Sequence, residues 1–191
     1  MTEFVSRAEN KLKNAVESFG YDFYGKTVLD IGSSTGGFTE YALSRGANLV
    51  VAIEKGTNQM KAPLRFDKRV DLHEKTDIFD ITKDDIMQPD VILADVSFVS
   101  LKKILRYVQL NLSDKSTDFL VMLKPQFEAQ KHQLTRGVVK NEKIRREIIH
   151  NFENWLRDND FLILKKQDNE LLGKNGNRER FYWLKNIKKI S

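Results

Sequence analysis

Cysteine is absent from the 191 residues, which removes disulfides, thiolate metal sites and a cysteine nucleophile, and fits a reducing compartment. No apolar run approaches the roughly 18 residues that cross a membrane, and the most apolar stretches are short enough to be buried strands. Met1 to Asn10 carries acids and lacks the apolar segment of a secretory signal, so a cytoplasmic protein is expected. With three prolines, ten glycines and no low-complexity tract, nothing reads as an interdomain linker. One domain over residues 1–191 is expected, its first 24 residues a helical extension. The three histidines, His73, His132 and His150, are scattered and make no metal-ligand cluster, so no metal is expected. Lys plus Arg number 32 against 27 acids, a net +5, which favours a polyanionic partner without proving one.

Apolar, β-branched runs recur at Thr27 to Ile31, Leu49 to Glu54, Val70 to Glu74, Val91 to Val96, Phe119 to Leu123, Phe161 to Lys165 and Phe181 to Leu184. Helical patterns fall between them at Gly37 to Arg45, about Asn58 to Phe66, Ser100 to Leu112 and Glu142 to Asp158. This alternation predicts a mostly parallel seven-stranded sheet with helices on both faces. Only the glycine- and asparagine-rich stretch Gly173 to Asn177 separates the last two strands, which suits an antiparallel hairpin. An open α/β sheet ending so is the Rossmann-like arrangement of class I methyltransferases. Leu12, Ala15, Val16 and Phe19 repeat at helical spacing and predict a helix over Glu9 to Phe19 that covers the core.

Lys26 to Gly37 reads KTVLDIGSSTGG, a strand running into a turn with glycines at 32, 36 and 37. Glycines there let the backbone turn tightly and approach a ligand at the strand's carboxyl end. The spacing G-x-x-x-G-G disfavours NAD, whose folds prefer G-x-G-x-x-G. Asp30 precedes Gly32, and Glu54 closes the second strand where a carboxylate would accept the two hydroxyls of a ribose. Together they point to S-adenosylmethionine, with Asp30, Gly32, Ser33, Ser34, Gly36, Gly37, Phe38 and Glu54 as cofactor candidates. Asp77 lies where such folds contact adenine, and a turn or helix cap explains it equally well.

Asp95 follows the fourth apolar run, at the end of a strand where the methyl group would be delivered. Enzymes that methylate amino nitrogens often place two prolines after this acid; Val96 and Ser97 stand here instead, which argues against a base nitrogen as acceptor. The fifth run ends in Lys124, which puts a lysine beside Asp95 across adjacent strand ends. Either the two close the sheet as an ion pair or they activate the acceptor, with Asp95 orienting Lys124 and Lys124 taking a proton from an alcohol.

Six stretches together resemble the catalytic domain of the haemolysin-A-type (TlyA) family, within the FtsJ-like RNA 2′-O-ribose methyltransferases. They are SRAENKL at Ser6 to Leu12, DIGSSTGGFT at Asp30 to Thr39, DVSFVSL at Asp95 to Leu101, KPQFEA at Lys124 to Ala129, RGVVKN at Arg136 to Asn141 and GNRERF at Gly176 to Phe181. The resemblance implies a Lys-Asp-Lys-Glu tetrad on Lys11, Asp95, Lys124 and Glu179, with Lys124 as the base on a ribose hydroxyl. It further implies S-adenosylmethionine as methyl donor and RNA, foremost ribosomal RNA, as substrate. Ala8 and Glu9 depart from the usual glycines, and Lys174-Asn175 replaces a Pro-Glu pair. Only Met1 to Val5 precede the first motif, where the family carries an S4-type RNA-binding module; either the protein lacks it or the chain is a fragment.

Phosphate contacts are expected from Arg7, Lys13, Lys131, His132, Arg136, Lys140 and the loop Lys174 to Arg178. Lys140, Lys143, Arg145 and Arg146 read equally as the wet face of a helix, and Trp155 as part of an apolar face. Two rival functions stand beside the enzyme: a membrane-acting haemolysin, and an RNA-binding or ribosome-assembly protein without catalysis.

Overall fold

The computed structural model describes residues 7–173 and 175–187. Seven strands form one sheet: β1 (Thr27–Ile31), β2 (Leu49–Glu54), β3 (Val70–Glu74), β4 (Val91–Ala94), β5 (Asp118–Leu123), β6 (Phe161–Asp168) and β7 (Arg180–Asn186). Their order is β3-β2-β1-β4-β5-β7-β6, and β7 alone runs antiparallel to its two neighbours. This is the expected Rossmann-like sheet, whose strand order reverses between β1 and β4 and opens a crevice at their carboxyl ends.

Residues that alternate along each strand face opposite ways, so the sheet has two cores. On one face Leu29, Ile53, Ile92 and Phe119 meet α4 (Leu101–Asn111) and α6 (Glu142–Asp158) through Ile104, Val108, Phe152 and Leu156. On the other, Val28, Val50, Leu93 and Leu120 meet α1 (Arg7–Phe19), α2 (Gly37–Ser44) and α3 (Ala62–Arg65). Leu12, Ala15, Val16 and Phe19 of α1 are all buried there, as their spacing predicts.

The helix expected over about Asn58 to Phe66 shrinks to α3. Asn58 takes a left-handed φ of 53°, and the amides just before α3 bond to carboxylates instead of helical carbonyls: Gly56 N–H to Glu54 (2.6 Å) and Gln59 N–H to Glu74 (3.1 Å). The fourth strand stops at Ala94 rather than Val96, which frees Asp95 to Ser100 as a loop. Between β3 and β4 the crossover carries only a single 3₁₀ turn, Ile78–Asp80.

Candidate active site

A cavity of about 570 Å³ opens at the carboxyl ends of β1, β2 and β4. Gly32 (φ 80°) lies on its wall, and a Cβ there would stand 3.1 Å from the Asp95 carbonyl oxygen, so this glycine lets the turn close against the β4 loop. Glu54 fixes the same turn by accepting the Ser34 amide (2.9 Å) on one carboxylate oxygen and the Gly56 amide on the other. Oε1 also accepts from the Gln59 side-chain amide at 3.3 Å, so Oε2 is the oxygen that keeps a lone pair for a ligand hydroxyl. Asp77 reaches the wall as well, while capping the 3₁₀ turn through the Phe79 amide and pairing with Lys55 at 2.7 Å. The Lys55 partner first, and the cap after it, hold its pKa below the usual carboxylate range.

Of the residues proposed for the cofactor, Gly32, Ser34, Glu54 and Asp77 therefore line the cavity. Asp30, Ser33, Gly36, Gly37 and Phe38 do not line it. Gly36 takes a left-handed φ of 96°, which favours glycine, and a Cβ there would also meet the Leu64 side-chain methyl at 2.5 Å. Phe38 packs on Phe181, with ring centroids 6.0 Å apart. Asp30 accepts a 2.7 Å bond from Thr39 Oγ1 on one oxygen, and its other buried oxygen has no hydrogen-bond partner among the described residues. Burial pushes its pKa up to about 7, against the Thr39 bond.

These features fit a nucleoside that carries positive charge. Ile31, Ile53, Ile78, Phe79 and Val99 supply apolar walls for a flat ring, Glu54 supplies acceptors for a diol, and the carboxyls favour a cation. Gly32 leaves the turn free of a side chain at the wall.

The four residues of the expected tetrad form two ion pairs. Lys124 Nζ lies 2.5 Å from Asp95 Oδ1 and donates to Ser97 Oγ at 2.9 Å. Lys11, on α1, pairs with the buried Glu179 at 2.6 Å. The pairs share one rim: β5 and β7 match Leu123 with Arg180, so the next residue outward is Lys124 on one strand and Glu179 on the other.

Sequence reasoning quoted the motifs around this rim without assigning several of their members. Phe98 is 92% exposed, has a left-handed φ of 64°, lines the cavity and stands 5.2 Å from the Phe127 ring, which in turn lies under Lys124. An exposed aromatic in a backbone conformation that bulky residues avoid marks a built feature. Glu128, at the end of the short helix α5 (Pro125–Glu128), accepts from Ser100 Oγ (2.7 Å) and the Leu101 amide (2.6 Å). Residues 124 and 128 thus grip the β4–α4 loop at both ends.

Among the expected phosphate contacts, Lys131, His132, Arg136, Lys140 and Arg178 are exposed and Lys13 is half-buried. The Arg7 side chain and Lys174 lie outside the described residues. Arg145 corrects the expectation of a wet helix face: it is buried, pairs with Asp168 at 2.8 Å and donates to the Arg178 carbonyl at 3.2 Å. Trp155 packs between Phe152 and Phe161, on the apolar face as expected. Among the described residues, no group of three or more His, Asp or Glu side chains could hold a metal ion, and no helix is long and apolar enough to cross a membrane.

The FtsJ-like methyltransferase family model matches residues 4–186. The chain is 37% identical over 182 residues to the 23S rRNA (cytidine-2′-O)-methyltransferase TlyA of Campylobacter jejuni, covering 94% of this chain and 70% of that protein. It is 35% identical to the 16S/23S rRNA (cytidine-2′-O)-methyltransferase TlyA of Mycobacterium tuberculosis, covering 95% of this chain and 68% of that one. Among solved structures, a hemolysin candidate from Lactococcus lactis superposes with a TM-score of 0.92 at 34% identity, covering 97% of this chain and 90% of the other.

Proposed function

The chain belongs to the FtsJ-like methyltransferase family, and from that premise we propose that it transfers a methyl group from S-adenosylmethionine to a ribose 2′-hydroxyl of ribosomal RNA in the cytoplasm. The observation that carries this reading is the placement of Lys124 and Asp95, 2.5 Å apart, at the strand ends beside a cavity suited to a charged nucleoside.

S-adenosylmethionine, when bound, supplies an electrophilic methyl on a positively charged sulfur. Glu54 would accept from its ribose hydroxyls, and Phe79 and Ile78 would face its adenine ring. Methyl transfer to the acceptor oxygen would release that hydroxyl's proton, and Lys124 Nζ would be the group placed to receive it once its own proton has been given up. Asp95 and Ser97 orient that amine; Lys11 and Glu179 hold the ribose from the opposite side. Positioning by these residues would dominate, since in-line alignment at near-contact distance is worth on the order of 7 to 11 kcal/mol. Removal of the hydroxyl proton contributes a further factor of about 10² to 10⁴.

RNA as acceptor is supported by the chain's likeness to relatives named as rRNA (cytidine-2′-O)-methyltransferases, and the 2′-hydroxyl is the group that DNA lacks. Exposed Lys131, Arg136, Lys140 and Arg178 would take the phosphates. Mass-spectrometric mapping of ribose methylation in ribosomes from cells with and without the gene tests the function: a 2′-O-methyl mark lost with the gene, and restored by the purified chain and S-adenosylmethionine, is expected. Ribosomes with identical marks in both strains would remove it.

A further inference from the structure

Asn177 is buried, two residues before Glu179, and no step above uses it. Its amide is read in both directions by one stretch of backbone. Oδ1 accepts the Val139 N–H at 3.0 Å, and Nδ2 donates to the Gly137 carbonyl at 3.1 Å. The Asn177 carbonyl takes the Gly173 N–H at 2.8 Å, and the Glu179 carbonyl takes the Asn169 N–H at 2.9 Å, so the chain before β7 closes on itself around Glu179. Gly173 lies close to the carboxylate: a Cβ there would come 2.7 Å from Glu179 Oε1. From the other side Arg145 holds the Arg178 carbonyl.

From this we infer that Asn177 is a positioning residue: its amide sets the height of Glu179, and through the 2.6 Å ion pair sets that of Lys11, over the acceptor site. The inference rests on the proposed role of Lys11 and Glu179. Lys11 is brought to the rim from the opposite end of the chain, and the Glu179 carboxylate is its ion-pair partner there. Loosening of the Glu179 turn therefore passes directly to Lys11. Only a side chain with a donor and an acceptor pointing apart satisfies both Gly137 and Val139. Aspartate keeps the Val139 bond and sets a charge against the Gly137 carbonyl, whereas alanine leaves both main-chain groups unpaired.

The test is a cycle of Asn177→Ala, Glu179→Ala and the double variant, with Asn177→Asp as a near-isosteric second probe. We would assay methyl transfer to ribosomal RNA and donor binding by calorimetry, and follow the ¹³Cε signal of Lys11 by NMR. Asn177→Ala is expected to lower kcat about 10²-fold, the scale of a misplaced active-site group, with donor affinity unchanged. In the Glu179→Ala background it should cost nothing more, and Asn177→Asp should fall between. The Lys11 signal should move in both Asn177 variants. Losses that multiply in the double variant, or an unmoved Lys11 signal, overturn the inference. A wild-type chain that transfers nothing to RNA overturns the functional reading and this inference with it, whereas an active wild type with an indifferent Asn177 overturns only the latter.

Discussion

Lys124 and Asp95 meet across the ends of two adjacent parallel strands with their charged atoms 2.5 Å apart. The register of β4 and β5 pairs Ala94 with Val121, so Asp95 leaves its strand level with Met122 and its carboxylate reaches outward to the lysine. Desolvation offsets most of the attraction in such a pair, which makes it a weak device for stability and a good one for aiming an amine. Ser97 Oγ accepts a hydrogen bond from the same nitrogen, leaving a further direction of Nζ for a substrate hydroxyl.

Lys124→Ala is therefore expected to lower kcat by about 10² to 10⁴. Donor affinity, read by calorimetry, should stay close to wild type. Lys124→Arg should not restore transfer, because a guanidinium does not give up its proton. An arginine variant with near-normal kcat would sink the assignment of Lys124 as base.

Glu54 should separate binding from chemistry in the opposite way. Its carboxylate holds the Ser34 and Gly56 amides and faces the cavity, so Glu54→Ala removes a ligand contact and loosens the turn. Loss of charged hydrogen bonds of this kind weakens donor binding by about 1.5 to 3 kcal/mol, roughly 10- to 10²-fold in Kd. At saturating donor, kcat should change little. Unaltered donor affinity in this variant would move the ribose away from Glu54.

The sheet, its hairpin and the ends of β1, β2 and β5 were legible because strands buried on both faces leave unbroken apolar runs, and acids or lysines at their ends stand out. Long-range partners were not legible. Lys11 and Glu179 read as ordinary surface charges, and only the family resemblance joined them. Phe98 escaped because hydrophobicity predicts burial, whereas its left-handed backbone turns the ring outward. Gly36 reads as a glycine for ligand approach, and its left-handed φ beside Leu64 of α3 adds a demand between elements that no local pattern reports. Arg145 misled for the same reason: its partner Asp168 sits on β6.

Stability should fall as pH rises through neutrality. Glu9 is buried in α1, and burial first, the Glu40 carboxyl second, push its pKa up from near 4.5 to about 7. The folded state keeps a proton that the unfolded chain releases, so this stabilisation is complete below about pH 4.5 and is lost as pH passes about 7. Glu9→Gln stays neutral throughout. Melting temperatures of the two proteins should agree at pH 5 and diverge by a few degrees at pH 8, with the variant higher. Asp30, also raised to about 7, should leave the variant part of the slope. Parallel curves from pH 5 to 8 would exclude Glu9 as the titrating group.

Phe98 offers the sharpest division between substrate and donor. Its ring is 92% exposed at the mouth of the cavity and is supported from one side by Phe127. Exposure of a large apolar ring in a left-handed backbone is unfavourable unless something covers it, and a nucleobase swung out beside its ribose would present a flat face of matching size. Stacking of this kind is worth about 1 to 3 kcal/mol per base. Phe98→Ala should thus raise KM for the RNA about 10-fold or more while donor Kd stays at the wild-type value. Phe98→Tyr, which keeps the π-face, should recover most of the loss. If alanine weakens donor binding instead, the ring belongs to the cofactor side of the cavity and the acceptor base lies elsewhere.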